Sequence, residues 1–405
     1  MGISEPLYTL RFWLVLSMLL VFSAVLKLPT LYFPHTEPDE QVYLNLATRL
    51  LTSASYNLEG TEIIKQLSPG IYDHPLFFHP PLFPASLIPF VYWKVENFAV
   101  LISWLGHFLC IISVALIGRR MAFAYGLDSD RNSVVEWLPV IGVCLDPLLT
   151  FVSRKLWIDS LLSGVCAASL AAFFCARYSQ RRSLWLVVGS ILFGLAGLSK
   201  MSALILTPVV IYLILTPEAH RRSKITELCL GCVPALLLAL PWYITFYHTY
   251  GVLFPSWMKP DEWSIQHYPF VRVMLERTPG YYLFKLAAIA PISLLCFGVY
   301  GLNRPLWASR VSLVAPMWFL LYFTTISYLG LHGTGFQMRY IAPLVPSIYL
   351  MLYAVLDRSR RGNEVISIGV LLLLLYAGMT GAIFLVSPQF DEIYSVFELI
   401  GWLRL

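Results

Sequence analysis

The sequence predicts an all-α, polytopic membrane protein with about eleven transmembrane helices and a helical first non-cytoplasmic loop. Three observations predict it. Of 405 residues, 58% are hydrophobic and 13% charged, against about 45–50% and about 25% in soluble domains. The apolar excess is spread along the whole chain, in runs near the roughly 20 residues a spanning helix needs. Basic residues gather in every second connection between those runs, as they do on the cytoplasmic side of membrane proteins.

The expected spans are 11–33, 97–118, 134–150, 157–176, 184–199, 201–217, 226–247, 284–302, 311–330, 341–356 and 364–386, with ends placed to about 2–4 residues. The pair 184–199 and 201–217 is short, and only Lys200 separates it. The first run shows no small-residue cleavage pattern and reads as a membrane helix rather than a cleaved signal. Met1-Gly2 resembles a myristoylation start, but Pro6 stands where Ser or Thr is needed. All seven cysteines, including the Cys229-Leu-Gly-Cys232 pair, fall in apolar segments, so no loop disulfide is expected.

A cytoplasmic N-terminus puts Arg119-Arg120, Arg177 with Arg181-Arg182, Arg221-Arg222 with Lys224, Arg304 with Arg310, and Arg358 with Arg360-Arg361 on the cytoplasmic side. These account for the net charge of +5, and no nucleic-acid partner is expected. The two long connections, 34–96 and 248–283, then share the outer or lumenal face. Long loops in a compact fold are usually functional, so chemistry is expected there. Residues 1–386 form one transmembrane domain in this reading. Residues 387–405 form a short external tail. The topology suits a bacterial inner membrane or an endoplasmic reticulum.

The first loop opens with HTEPDEQVYLNLATRL, residues 35–50. Thr36 can cap a helix whose first turn tolerates Pro38. Apolar residues recur at Leu46, Ala47, Leu50 and Leu51. Acids at a helix start complement its dipole, and many such pairs do nothing more. At membrane level an ionisable group is costly and marks function. Asp39 and Glu40 are therefore candidates for proton transfer from a hydroxyl. The loop ends in FFHPPLFPASLIPFVYWK, apolar but too short to span, which reads as an interfacial segment with Tyr92 and Trp93 at headgroup depth.

His79 sits in the rigid turn made by Pro80 and Pro81. With His74 and Asp73 it offers a metal reading, but the spacing fits no strong ligand signature. A positioning histidine is favoured, and a divalent cation stays open as a cofactor. The run SRKLWIDS, residues 153–160, carries Arg154, Lys155 and Asp159. It reads equally as an Arg/Asp pair flanking a helix start, or as a second acid with a base to hold phosphate. Lys200 and Arg339 end helices on the same face. They either snorkel or hold a lipid phosphate at headgroup depth. Arginine binds such oxygens bidentately, which favours Arg339, and Tyr340 beside it is a further substrate-binding candidate. There is no Walker A loop, no Rossmann glycine pattern and no convincing inverted repeat. A transporter or flippase of a lipid-linked or anionic substrate is the alternative function class.

Taken in order, Pro-Asp-Glu-Gln-x-Tyr at 38–43, His-Pro-Pro-Leu at 79–82, Leu-Trp-Ile-Asp-Ser-Leu-Leu at 156–162, Gly-Leu-Ala-Gly-Leu-Ser-Lys at 194–200 and Arg-Tyr-Ile-Ala-Pro-Leu-Val-Pro at 339–346 resemble the GT-C membrane glycosyltransferases. The resemblance is to the clan of protein O-mannosyltransferases and the lipid A aminoarabinose transferase, and it covers most of residues 10–356. It implies a polyprenyl-phosphate sugar donor, a lipid, glycan or protein acceptor hydroxyl on the outer or lumenal face, and inversion at the sugar. It implies that Asp39 is the first-loop catalytic acid with Glu40 its neighbour, that Asp159 is the second acidic position, and that Lys200 and Arg339 lie near the lipid phosphate. Longer members carry a soluble C-terminal domain that this chain is expected to lack.

Overall fold

The structure is a computed structural model, and it describes residues 10–66, 75–124, 134–215, 223–253, 266, 269–302, 312–360, 364–386, 393, 394 and 398. Every regular element among them is helical. In order these are α1 (Leu10–Lys27), α2 (Pro38–Ser53), α3 (Leu82–Tyr92), α4 (Leu101–Ala124), α5 (Leu138–Leu145), α6 (Pro147–Ser153), α7 (Ile158–Tyr178) and α8 (Arg182–Ser199). Then come α9 (Thr207–Leu215), α10 (Lys224–Tyr250), α11 (Pro269–Glu276), α12 (Pro279–Ile289), α13 (Ile292–Leu302), α14 (Val314–Leu329), α15 (Val345–Arg360) and α16 (Glu364–Val386). Short tight-helical stretches connect them, among them Met201–Leu206 and Met338–Leu344.

Among the described residues, seven segments are long and apolar enough to cross a membrane, and an eighth is counted if the bent pair α12–α13 is one span. The chain is an integral multi-pass membrane protein. Four other expected spans are broken or short. The 134–150 run divides into α5 and α6 because Asp146 leaves the helix at φ −58, ψ 125 and then caps α6 by accepting from the Leu149 amide at 2.8 Å. Pro147 follows, and a proline disfavours helix at the residue before it. The 284–302 run bends by 110° for the same reason at Ala290-Pro291. Met201–Leu215 is a shorter apolar helix, and 341–356 begins in the stretch Met338–Leu344 before α15.

The bundle is built around α7, whose span is 89% buried. Its small residues let α4 come close: a Cβ on Gly106 would stand 2.2 Å from the Ser160 carbonyl oxygen, and one on Gly164 would stand 2.2 Å from that of Gly106. Small residues at such crossings let apolar helices gain packing that lipid cannot supply. Ser160 Oγ donates to the Ser103 carbonyl at 2.5 Å, and Ser169 Oγ to that of Gly189 on α8 at 2.8 Å. By contrast α1 and α10 are only 22% buried over their spans, and their exposed faces are leucine, valine and aromatic side chains suited to lipid.

At the end of the bundle away from α2, Arg182 ties four helices together. It pairs with Glu227 of α10 at 2.6 and 3.0 Å and donates to the carbonyls of Ala176 on α7 and Ile214 on α9. At the other end α2 packs on α3 beneath the 75–81 turn. α3 is short and ends with Tyr92 and Trp93 well exposed.

Candidate active site

The N-terminus of α2 is pinned before any chemistry is considered. Pro38 occupies its first turn, and the cap falls on Glu37, one residue later than Thr36. Glu40 reaches back to the Glu37 amide at 3.4 Å, completing a reciprocal capping box. Glu40 also accepts from the Leu156 amide at 3.0 Å and contacts His35 Nδ1 at 3.1 Å. It is 1% exposed. Asp39, one residue earlier, points elsewhere, because adjacent helical positions do not share a face.

Asp39 Oδ2 lies 2.6 Å from Arg339 Nη1. Arg339 Nε lies 3.8 Å from Asp159 Oδ2, and Lys200 Nζ lies 2.8 Å from Asp159 Oδ1. Two acids and two cations, from the first loop, the α7 start, the α8 end and the Met338–Leu344 stretch, thus alternate in one cluster. Trp157 and Tyr340 floor it. The guanidinium of Arg339 lies 5.3 Å from the Trp157 ring, and Lys200 Nζ lies 4.5 Å over that of Tyr340. Such cation–π contacts hold a cation while leaving its N–H donors free.

Access separates the two acids. The Asp39 side chain is 37% exposed, whereas that of Asp159 is 2% exposed. Burial pushes the Asp39 carboxyl up, but the charge and hydrogen bond of Arg339, together with weaker contributions that include Lys200, hold the group below its usual range. Burial, then Lys200, pushes the His79 imidazole down to about 3 despite Asp39. His79 is therefore neutral at ordinary pH. Its ring lies 6.3 Å from that of Tyr43.

The structure thus brings together Asp39, Asp159, Lys200, Arg339 and Tyr340, with His79 beside them. It sets Glu40 and Arg154 apart. Glu40 faces the 155–157 turn. Arg154 is fully buried against the rings of Phe151 and Phe384 and donates to the Phe384 carbonyl at 3.3 Å, away from the cluster. His74 and Asp73 lie outside the described residues. Among the described residues no group of three or more His, Cys, Asp or Glu side chains could hold a metal ion.

Three contributors escaped the sequence reading. Tyr43 sits one turn after Asp39 on the same face, and burial and then the Asp39 carboxylate keep its phenol well above the usual range. The i, i+4 spacing to Asp39 was the available signal. Gln337 Oε1 accepts from Arg339 Nε at 2.7 Å. Trp157 lies in the SRKLWIDS run, but nothing local marks its ring as the floor for Arg339.

A family profile described as dolichyl-phosphate-mannose-protein mannosyltransferase matches residues 89–244. The structure is similar to ArnT from Cupriavidus metallidurans in the apo state, with TM-score 0.58 and 19% identity over 88% of this chain and 62% of that one. It is similar to the same protein bound to undecaprenyl phosphate, with TM-score 0.59 and 18% identity over 90% and 64%. The Archaeoglobus fulgidus oligosaccharyltransferase in complex with Zn and sulfate aligns with TM-score 0.57 and 14% identity over 96% and 55%. The chain carries the GT-C fold. This GT-C chain spans less than two thirds of the length of those solved relatives. No curated protein sequence matches it at a significant level.

Proposed function

We propose that this protein is a glycosyltransferase that moves a sugar from a polyprenyl-phosphate donor to an acceptor hydroxyl at the outer or lumenal membrane face, with inversion. The observation that carries the reading is the alternation of Asp39, Arg339, Asp159 and Lys200 at one end of the bundle. The matching family profile and the likeness to ArnT bound to undecaprenyl phosphate support the donor class.

In this mechanism the donor phosphodiester enters between helices and engages Arg339 and Lys200, whose N–H groups suit its single negative charge and the second charge that appears as it leaves. Phosphate and Asp39 compete for the same guanidinium nitrogen, so donor binding loosens the 2.6 Å pair. Asp39 then loses the interaction that depresses its basicity, while burial raises it. It accepts the acceptor's hydroxyl proton as that oxygen bonds to the anomeric carbon. The carbon–oxygen bond to phosphate breaks, and polyprenyl phosphate leaves with the bonding pair. Arg339 and Lys200 stabilise the charge that develops on it. Asp159, buried and salt-bridged, bridges the two cations and fixes their placement. Glu40 anchors the helix that carries the base.

A transporter would place charges along a path through the bundle and break helices in paired halves. The candidate charges here gather at one end, which favours an enzyme. Purified Asp39→Asn, which keeps shape and removes the base, is expected to lose transfer by about 10²–10⁴-fold. Transfer at the wild-type rate would sink the assignment.

A further inference from the structure

Glu37 is not a candidate for chemistry in the mechanism above, yet it is committed to the cluster's floor. Its Oε2 accepts from the Trp157 indole N–H at 3.1 Å, and its Oε1 pairs with Lys155 Nζ. Lys155 in turn lies 5.5 Å from the Trp157 ring. Trp157 is 3% exposed, and its other edge packs on Phe151 at 4.9 Å. The ring that Glu37 fixes in this way is the one lying 5.3 Å from the guanidinium of Arg339.

An indole has one N–H, and a hydrogen bond from it sets the ring's tilt about its side-chain axis. A guanidinium resting on an aromatic face follows that tilt. Cap, anchor and floor are therefore joined through residues 120 apart in sequence. We propose that Glu37 is a positioning residue that sets the attitude of Arg339 through the Trp157 indole, and so tunes how the protein holds a polyprenyl-linked phosphate. This rests on the function proposed above for its ligand, but the coupling itself does not.

Two measurements separate the parts. Trp157→Phe keeps a ring and leaves the Glu37–Lys155 pair in place while removing the N–H. Binding of undecaprenyl phosphate to the purified full chain in nanodiscs is expected to weaken about tenfold in this variant, as for loss of one hydrogen bond to a charged group. Glu37→Gln, which keeps an oxygen for the indole, is expected to stay within about twofold of wild type, a difference smaller than one such bond. The second measurement needs no ligand. The Tm losses of Glu37→Ala and Arg339→Ala are expected to sum to more than the loss of the double variant, as for groups coupled through a shared partner.

Additive Tm losses would overturn the proposal, because Glu37 and Trp157 would then only anchor α2. So would unchanged affinity of Trp157→Phe in a wild type that binds the probe. A wild type that does not bind undecaprenyl phosphate defeats the donor reading, and the Tm cycle alone then decides whether Glu37 positions Arg339.

Discussion

Glu40 sits beside the proposed base, and its replacement separates anchoring from chemistry. Three contacts converge on it: the Leu156 amide at 3.0 Å, His35 Nδ1 at 3.1 Å and the Glu37 amide at 3.4 Å. Glu40→Ala removes all three. The buried Leu156 N–H loses its acceptor, which costs about 1–3 kcal/mol. Loss of half a capping box adds about 1 kcal/mol. The expected destabilisation is therefore about 2–4 kcal/mol, large beside the 5–15 kcal/mol typical of folded proteins. Glu40→Gln keeps the oxygen that faces Leu156 and recovers most of this. Thermal melting of the purified protein in detergent, with transfer activity on the same samples, reads both effects. The account expects Glu40→Gln to stay folded and active and Glu40→Ala to melt early. A folded Glu40→Gln as inactive as Asp39→Asn would refute the anchoring role.

Three further outcomes follow. Arg339→Ala leaves burial as the main influence on Asp39, so the acid limb of kcat/KM moves to higher pH than in wild type, and the Michaelis constant for donor rises; pH–rate profiles check both. His79 refuses a proton until about pH 3 while the unfolded chain accepts one near 6.5. Folding stability should therefore fall as pH drops through that window, by up to about 1.4 kcal/mol per unit, and His79→Asn should flatten that slope in Tm measured from pH 7 to 5. Gly164→Ala drives a Cβ into the Gly106 backbone, so it should cost at least about 1–3 kcal/mol and lower Tm.

Much of the fold was legible because apolar runs must be helical in lipid, where every backbone polar group needs an internal partner. The breaks were harder to read. Asp146-Pro147 and Ala290-Pro291 lie inside runs whose hydropathy is continuous, and hydropathy does not register a proline's effect on the preceding residue. The site was legible as a set of charges on one face, since Asp159, Lys200 and Arg339 stand beside or within apolar sequence and Asp39 follows the first apolar run closely. Their division of labour was not. Asp39 and Glu40 are neighbours with the same chemistry, and only the packing of α2 on the 155–157 turn sends one into the cluster and the other into a strut. Glu37 was invisible for a related reason: its partners Lys155 and Trp157 are 118 and 120 residues away. Arg154 read as a phosphate ligand from its neighbours in sequence, but its side chain turns to Phe151 and Phe384.

The central claim is that Asp39 is the base for transfer from a polyprenyl-phosphate sugar. The most direct test is single-turnover transfer by purified wild type and Asp39→Asn with bound donor, each with its donor affinity measured and compared at equal donor occupancy. The account predicts that Asp39→Asn binds donor at least as tightly, because Arg339 is freed for phosphate, yet transfers about 10²–10⁴-fold more slowly. Equal transfer rates with equal donor occupancy would contradict it.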